Sequence, residues 1–225
     1  LRLKKQFGSL RSNPAVQMFD NGIAILDWLG IVAFTITGAL VASRNQMDVI
    51  GFILLGTVTG IGGGTIRDIL LDIHPILWIE HPEYLMVCIA VSLIIFFTAH
   101  LVGSRIKLIL WADAIGLALF SIVGAERAIA NGAPALVAIV MGVITACFGG
   151  IVRDVLSQER SIIFSYEIYV TAAVAAALVF VGLHMAGISR ELSIATGLII
   201  GIILRGGAIL NGWSLPRYRP RPPKP

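Results

Sequence analysis

Seven stretches of this chain are apolar for long enough to cross a bilayer, roughly 23–42, 49–71, 84–102, 108–125, 134–156, 166–186 and 192–210. Crossing the hydrocarbon core takes about 20 apolar residues in a helix, and backbone polar groups there must be satisfied within the segment. Seven such runs in 225 residues leave no room for a large soluble domain. Composition agrees: 57% of residues are hydrophobic and 13% charged, with mean hydropathy +0.90. A soluble domain carries about a quarter charged residues. The expected fold is therefore an all-α membrane protein of seven transmembrane helices. The net charge of +4 reads as basic loops beside a membrane, with no nucleic-acid partner.

Within two of these spans the sequence does something costly. Gly60-Ile-Gly-Gly-Gly-Thr-Ile-Arg-Asp68 places Gly62, Gly63 and Gly64 in a helix interior, and Phe148-Gly-Gly-Ile-Val-Arg-Asp154 repeats the pattern with Gly149 and Gly150. Each glycine there costs roughly 1 kcal/mol relative to Ala. Arg67 and Arg153 lie 86 positions apart (153 − 67). At that offset residues 27–70 match residues 113–156 without a gap in about 16 of 44 positions, the sign of an internal repeat. Asp27 meets Asp113, Gly30 meets Gly116, Phe34 meets Phe120, and Arg67-Asp68 meets Arg153-Asp154.

Each unit holds three spans, so the second enters the membrane from the opposite side. The expected organisation is a tail over 1–22, repeat 1 over 23–103, repeat 2 over 104–187, a seventh span over 188–211 and a basic Pro-rich tail over 212–225. Inverted repeats of this kind place their pathway or binding site between the two units. Lys and Arg place more positive charge on the C-terminal side (Arg44, Arg105, Lys107, Arg153, Arg160, Arg217, Arg219, Arg221 and Lys224) than in the loops opposite it (Arg67, Arg127 and Arg190), where the basic N-terminal tail also falls. The C-terminus is expected to be cytoplasmic and the protein to be multi-pass in the cell membrane.

Two readings of the doubled glycines are open. Glycine lets a helix depart from regular geometry, so the second and fifth spans would kink and expose carbonyls to a wet pathway. Alternatively, small residues let two helix backbones approach closely. The pore or kink residues on the first reading are Gly62, Gly63, Gly64, Thr65, Gly149 and Gly150. Intramembrane charges pair, so Asp27 is expected beside Arg67 and Asp68, and Asp113 beside Arg153 and Asp154, as two charged mouths. Arg205 in the seventh span is a third charge, either gating or snorkelling to the interface. Thr35, Thr37, Thr59, Ser121 and Thr145 supply hydroxyls as polar lining, or bond back within their own helices. The apolar third and sixth spans read as lipid-facing scaffold, with Ala172 to Ala177 as a surface for contacts between helices. No catalytic triad, paired catalytic carboxylates or metal-ligand spacing emerges, so neither an enzyme nor a metal nor a cofactor is expected.

Gly-Gly-Gly-Thr-Ile-Arg-Asp68 and Gly-Gly-Ile-Val-Arg-Asp154, in two three-span units followed by a seventh span, resemble the prokaryotic trimeric intracellular cation (TRIC) channels. The resemblance covers roughly residues 22–210. It implies a homotrimer with a pore in each protomer, surrounded by spans 1, 2, 4 and 5, passing K⁺ and, less well, Na⁺, with membrane lipid as the surrounding partner. Animal members bind an inositol lipid through a lysine-containing motif at the kink. Here those positions read Gly-Gly-Thr and Gly-Gly-Ile, so that property does not carry over. The same doubled motif marks bacterial membrane proteins described as glycine transporters, and a secondary transporter of a small solute is the alternative function.

Overall fold

The computed structural model describes residues 14–158 and 168–215. Its helices are α1 (Pro14–Arg44), α2 (Val49–Leu70), α3 (Leu77–Glu80), α4 (Glu83–Thr98, continued by a 3₁₀ turn Ala99–Leu101), α5 (Arg105–Ala130), α6 (Ala135–Leu156), α7 (Val170–Met185) and α8 (Arg190–Asn211). Six of them carry stretches long and apolar enough to cross a membrane: Gly22–Arg44, Val49–Leu70, Glu83–Leu101, Arg105–Ala130, Ala135–Leu156 and Arg190–Asn211.

Three expectations change. The tail expected over 1–22 is helical from Pro14, whose missing N–H and fixed φ suit a first helical position. The sixth span, expected over 166–186, is a helix of 16 residues. At 1.5 Å per residue it is about 24 Å long, shorter than the other spans. Its Ala172, Ala173, Ala176 and Ala177 are fully buried inside the protomer rather than offered to another. A methyl on Gly201 of α8 would stand 3.1 Å from Ala176 Cβ, and one on Gly142 of α6 would stand 3.0 Å from Ala177 Cβ. The N-terminal 13 residues, most of the segment between the expected fifth and sixth spans and the basic tail beyond Leu215 lie outside the described residues.

Local signals set the helix ends. The Asp48 carboxylate accepts from Gly51 N at 2.8 Å and starts α2. Gly212, in the left-handed region at φ 65°, ends α8. Pro134, where the expected fifth span begins, is the extended residue just before α6.

The centre is built by α1, α2, α5 and α6. The apolar stretch of α5 is 78% buried and that of α4 only 22%, so α5 is the central strut and α4 a peripheral helix. Neighbours run antiparallel. Gly30 of α1 meets Phe120 of α5 while Phe34 meets Gly116, so numbers rise on one helix as they fall on the other. The same exchange joins α2 and α6, where Gly63 faces Thr145 and Gly149 faces Thr59. Within each pair of consecutive helices the packing also matches. A methyl on Gly38 would stand 2.6 Å from Thr59 Oγ1, and one on Gly124 would stand 2.5 Å from Thr145 Oγ1.

Candidate functional site

The expected Asp–Arg partners meet. Arg67, in the last turn of α2, donates from Nη1 to Asp27 Oδ1 of α1 at 3.3 Å and from Nε to its neighbour Asp68 at 2.8 Å. Arg153, in the last turn of α6, donates from Nη1 to Asp113 Oδ1 of α5 at 2.8 Å and from Nε to Asp154 at 2.8 Å. All six side chains are at most 3% exposed. The planar guanidinium suits this work, because its fork binds a carboxylate on its own helix and one on the next. An unpaired charge at this depth would cost several kcal/mol, so pairing is what lets these groups be buried. The antiparallel crossings put the two clusters on opposite sides of the helix centre.

The clusters differ in what surrounds them. At the first, Arg127 from the far end of α5 reaches Asp27 Oδ2 at 3.6 Å. The backbone N of Leu77 donates to Asp68 Oδ2 at 3.0 Å, and Trp78 Nε1 donates to Thr65 Oγ1 at 3.0 Å. The short helix α3 is thus pinned over this mouth. Trp28 and Tyr84 stack beside it with centroids 3.9 Å apart. An open cavity of about 310 Å³ lies outside, lined by Trp28, His81, Glu83, Tyr84 and Arg127. Inside is a cavity of about 10 Å³ between Asp27, Gly60, Gly64, Thr65 and Phe120. That is about the space a single water needs.

At the second cluster, Tyr169 covers the buried charges. It is buried, and a methyl on Gly150 would stand 3.1 Å from its hydroxyl oxygen. Arg205 of α8 lies over the Tyr169 ring, 5.2 Å from its centroid, and donates from Nη1 to Ile168 O at 3.4 Å. Arg205 is completely buried, which rules out the snorkelling arrangement. Cation–π contact with a desolvated ring is worth about 2 kcal/mol and gives the charge a place inside the bundle.

The glycine motifs serve close packing of helices. Helical structure runs without interruption through Gly62, Gly63 and Gly64 in α2 and through Gly149 and Gly150 in α6. A methyl on Gly63 would collide with the carbonyl oxygen of Thr145, and one on Gly149 with that of Thr59. These two glycines therefore let α2 and α6 cross backbone against backbone. Gly62, Gly64 and Gly150 have more room.

The hydroxyls bond mostly within their own helices. Thr37 donates to Phe34 O at 2.8 Å, Thr59 to Leu55 O at 2.5 Å, Ser121 to Leu117 O at 2.6 Å and Thr145 to Met141 O at 2.7 Å. Thr65 donates to Ile61 O at 2.8 Å and faces the small cavity, whereas Thr35 turns to Cys88 Sγ at 3.3 Å. All but Thr65 are fully buried.

Arg127, Trp78 and Tyr169 complete the two mouths but carry no sequence signal of that role. Each sits on an element outside its cluster's own Asp–Arg helix pair, and only tertiary packing delivers it. Glu126 was likewise silent; it takes Nε of Arg190 at 2.6 Å and ties α8 to α5.

An α-helical membrane protein with two antiparallel helix pairs and a buried Arg–Asp cluster on each side of their crossing is the class this architecture defines. Residues 24–100 and 110–185 match the model of a family described as Glycine transporter. The chain is 37% identical over 198 residues to the UPF0126 inner membrane protein YadS of Escherichia coli K12, covering 86% of this chain and 94% of that protein. Among solved structures it resembles the TRIC trimeric intracellular cation channel orthologue from Rhodobacter sphaeroides, with 49% identity, TM-score 0.83, and 85% and 98% of the two chains covered. A second structure, solved to explain conductance through TRIC cation channels, is 33% identical with TM-score 0.79, covering 89% of this chain and 98% of that one. The chain belongs to this family, that of the prokaryotic TRIC proteins.

Proposed function

We propose that the chain is a passive channel for monovalent cations, K⁺ foremost, working as a homotrimer with one pathway per protomer between α1, α2, α5 and α6. The observation that carries this reading is the pair of buried Arg–Asp clusters facing each other across the antiparallel crossing. At the first, the carboxylates of Asp27 and Asp68 are balanced by Arg67 and Arg127. At the second, those of Asp113 and Asp154 meet Arg153, with Arg205 behind Tyr169. Because each mouth comes close to charge balance, the arginines add no standing barrier to a cation, while the carboxylate oxygens remain as ligands for it. The two solved relatives are cation channels by description, one of them trimeric. The excess of Lys and Arg on the C-terminal side supports a cytoplasmic C-terminus in the cell membrane.

The second reading is a secondary transporter of a small zwitterion such as glycine. The family description favours it, and so does the open cavity of about 310 Å³ where Arg127 and Glu83 offer opposite charges. Single-channel recording of purified protein in planar bilayers separates the two. Unitary K⁺ currents are expected. Saturable, counter-transportable glycine flux without unitary currents would replace the channel with the transporter.

A further inference from the structure

Two opposite charges border the cavity of about 310 Å³ outside the first mouth, Arg127 and Glu83. Arg127 is loosely held. Its Nη2 lies 3.6 Å from Asp27 Oδ2, too far for a hydrogen bond, and its side chain is 35% exposed. Arg127 Nε and Asp27 Oδ2 are both buried without a hydrogen-bond partner among the described residues. The fork of this guanidinium is therefore open to a carboxylate, which it can grip through two parallel N–H···O bonds.

Glu83 is half-exposed, with His81 Nδ1 3.0 Å from its carboxylate. The rest of the wall is mainly apolar and aromatic: Leu77 and the stacked rings of Trp28 and Tyr84. A carboxylate beside aromatic rings suits an ammonium group. A water takes about 30 Å³ in the liquid, so the cavity has room for about ten of them. Glycine is too small to fill that space. An amino acid with a large apolar or aromatic side chain meets both charges and covers the apolar wall as well.

We propose that this cavity is a regulatory binding site for α-amino acids with a large apolar or aromatic side chain. Arg127 takes the carboxylate, Glu83 the ammonium group, and Trp28, Tyr84 and Leu77 the side chain. The site is coupled to the mouth it borders. A ligand that draws Arg127 from Asp27 leaves Asp27 and Asp68 facing Arg67 alone. The mouth then holds an excess of negative charge and a freed carboxylate oxygen, and both favour a cation. Binding stands on the geometry of the cavity, whereas its effect on flux rests on the channel reading.

The test uses L-phenylalanine as the probe and the purified full-length protein. Binding is read from the rise of Tm with ligand concentration in mild detergent, and K⁺ flux is measured from liposomes with and without the amino acid. Glycine, phenethylamine and phenylpropionate lack in turn the side chain, the carboxylate and the ammonium group. A saturable rise is expected with L-phenylalanine, and binding about tenfold weaker for each analogue. Glu83→Gln, at a half-exposed side chain outside the mouth's own ion pairs, should weaken L-phenylalanine about tenfold too. At saturation, wild-type K⁺ flux should rise about tenfold at low ionic strength. No saturable rise in Tm overturns the site, and so do equal affinities for L-phenylalanine and phenethylamine or an unchanged affinity in Glu83→Gln. Saturable binding with flux unchanged or reduced overturns the coupling. Saturable binding by protein that passes no K⁺ in either condition keeps the site and fails the channel reading.

Discussion

Gly62 and Gly63 are adjacent, in one helix and one motif, yet alanine at the two positions should act in opposite directions. At Gly63 the new methyl collides with the Thr145 carbonyl oxygen, and the Thr145 carbonyl carbon would be 3.2 Å away. Neither atom is a flexible side-chain end; both belong to the backbone of α6. Relief requires α2 and α6 to part by roughly an ångström across a close-packed crossing. Overpacking of this kind costs about 1–3 kcal/mol. Alanine's better helix propensity returns roughly 1 kcal/mol, leaving a net loss of up to about 2 kcal/mol. At Gly62 the nearest atom to the new methyl is Gly149 Cα at 3.7 Å, an ordinary contact. Only the propensity gain remains, up to about 1 kcal/mol. The propensity gain is common to both, so the two variants should differ by about 1–3 kcal/mol, or roughly 2–12 °C in Tm for a chain of this size. Thermal unfolding in one mild detergent, followed by tryptophan fluorescence, measures the difference. Gly149→Ala should behave like Gly63→Ala, since it meets the Thr59 carbonyl at the same crossing. The double variant should cost less than the sum, because one separation of the helices relieves both collisions. Equal Tm values for Gly62→Ala and Gly63→Ala would refute the argument and return the triplet to a role in bending the helix.

Asp113→Asn should destabilise the protein more than Asp27→Asn. Asp113 holds Arg153 at 2.8 Å in a buried site, whereas Asp27 holds Arg67 at 3.3 Å and has the partly exposed Arg127 as its other partner. Breaking a fully buried pair costs about 3–5 kcal/mol, so a Tm loss in Asp27→Asn equal to or larger than in Asp113→Asn would contradict this ranking. Trp78→Phe and Thr65→Val each remove the bond that pins α3, at about 1 kcal/mol, and in a double-mutant cycle the second should add little to the first. Full additivity would show that the bond does not hold α3 in solution.

The frame was legible in the sequence because its signals are local or periodic. Apolar runs marked the helices. The 86-residue offset, carried by Asp, Gly and Arg rather than by interchangeable aliphatics, paired Asp27 with Arg67 and Asp113 with Arg153. Two things were not legible. The effect of a glycine depends on what crosses it, and nothing near Gly63 in sequence announces the Thr145 carbonyl of a helix 82 positions on (145 − 63). Hydroxyls were equally ambiguous, since Thr59 and Thr145 satisfy themselves one turn back whether or not water is near. Residues that complete the mouths, Arg127, Trp78 and Tyr169, lie on elements whose position follows only from tertiary packing. The helix start at Pro14 was not legible either, because a proline that ends one segment and a proline that begins a helix look alike in sequence.

The two mouths share their ion pairs but not their covers, and the difference has a physical consequence. Arg67–Asp68–Asp27 is roofed by α3, held through Asp68 Oδ2 and Thr65, and opens on a cavity of about 310 Å³. Arg153–Asp154–Asp113 is closed by Tyr169, a large ring with Arg205 stacked on its outer side. Wetting the first cluster takes displacement of a four-residue helix held by two hydrogen bonds, each worth about 1 kcal/mol net. Wetting the second takes removal of a fully buried tyrosine together with its cation–π partner, a contact worth about 2 kcal/mol before the ring's own burial is counted. The Asp113 mouth is therefore the stiffer of the two. Under the channel reading, a route between them would be wetted from the Asp27 side first, so its sidedness would follow from unequal covers placed on matching ion pairs.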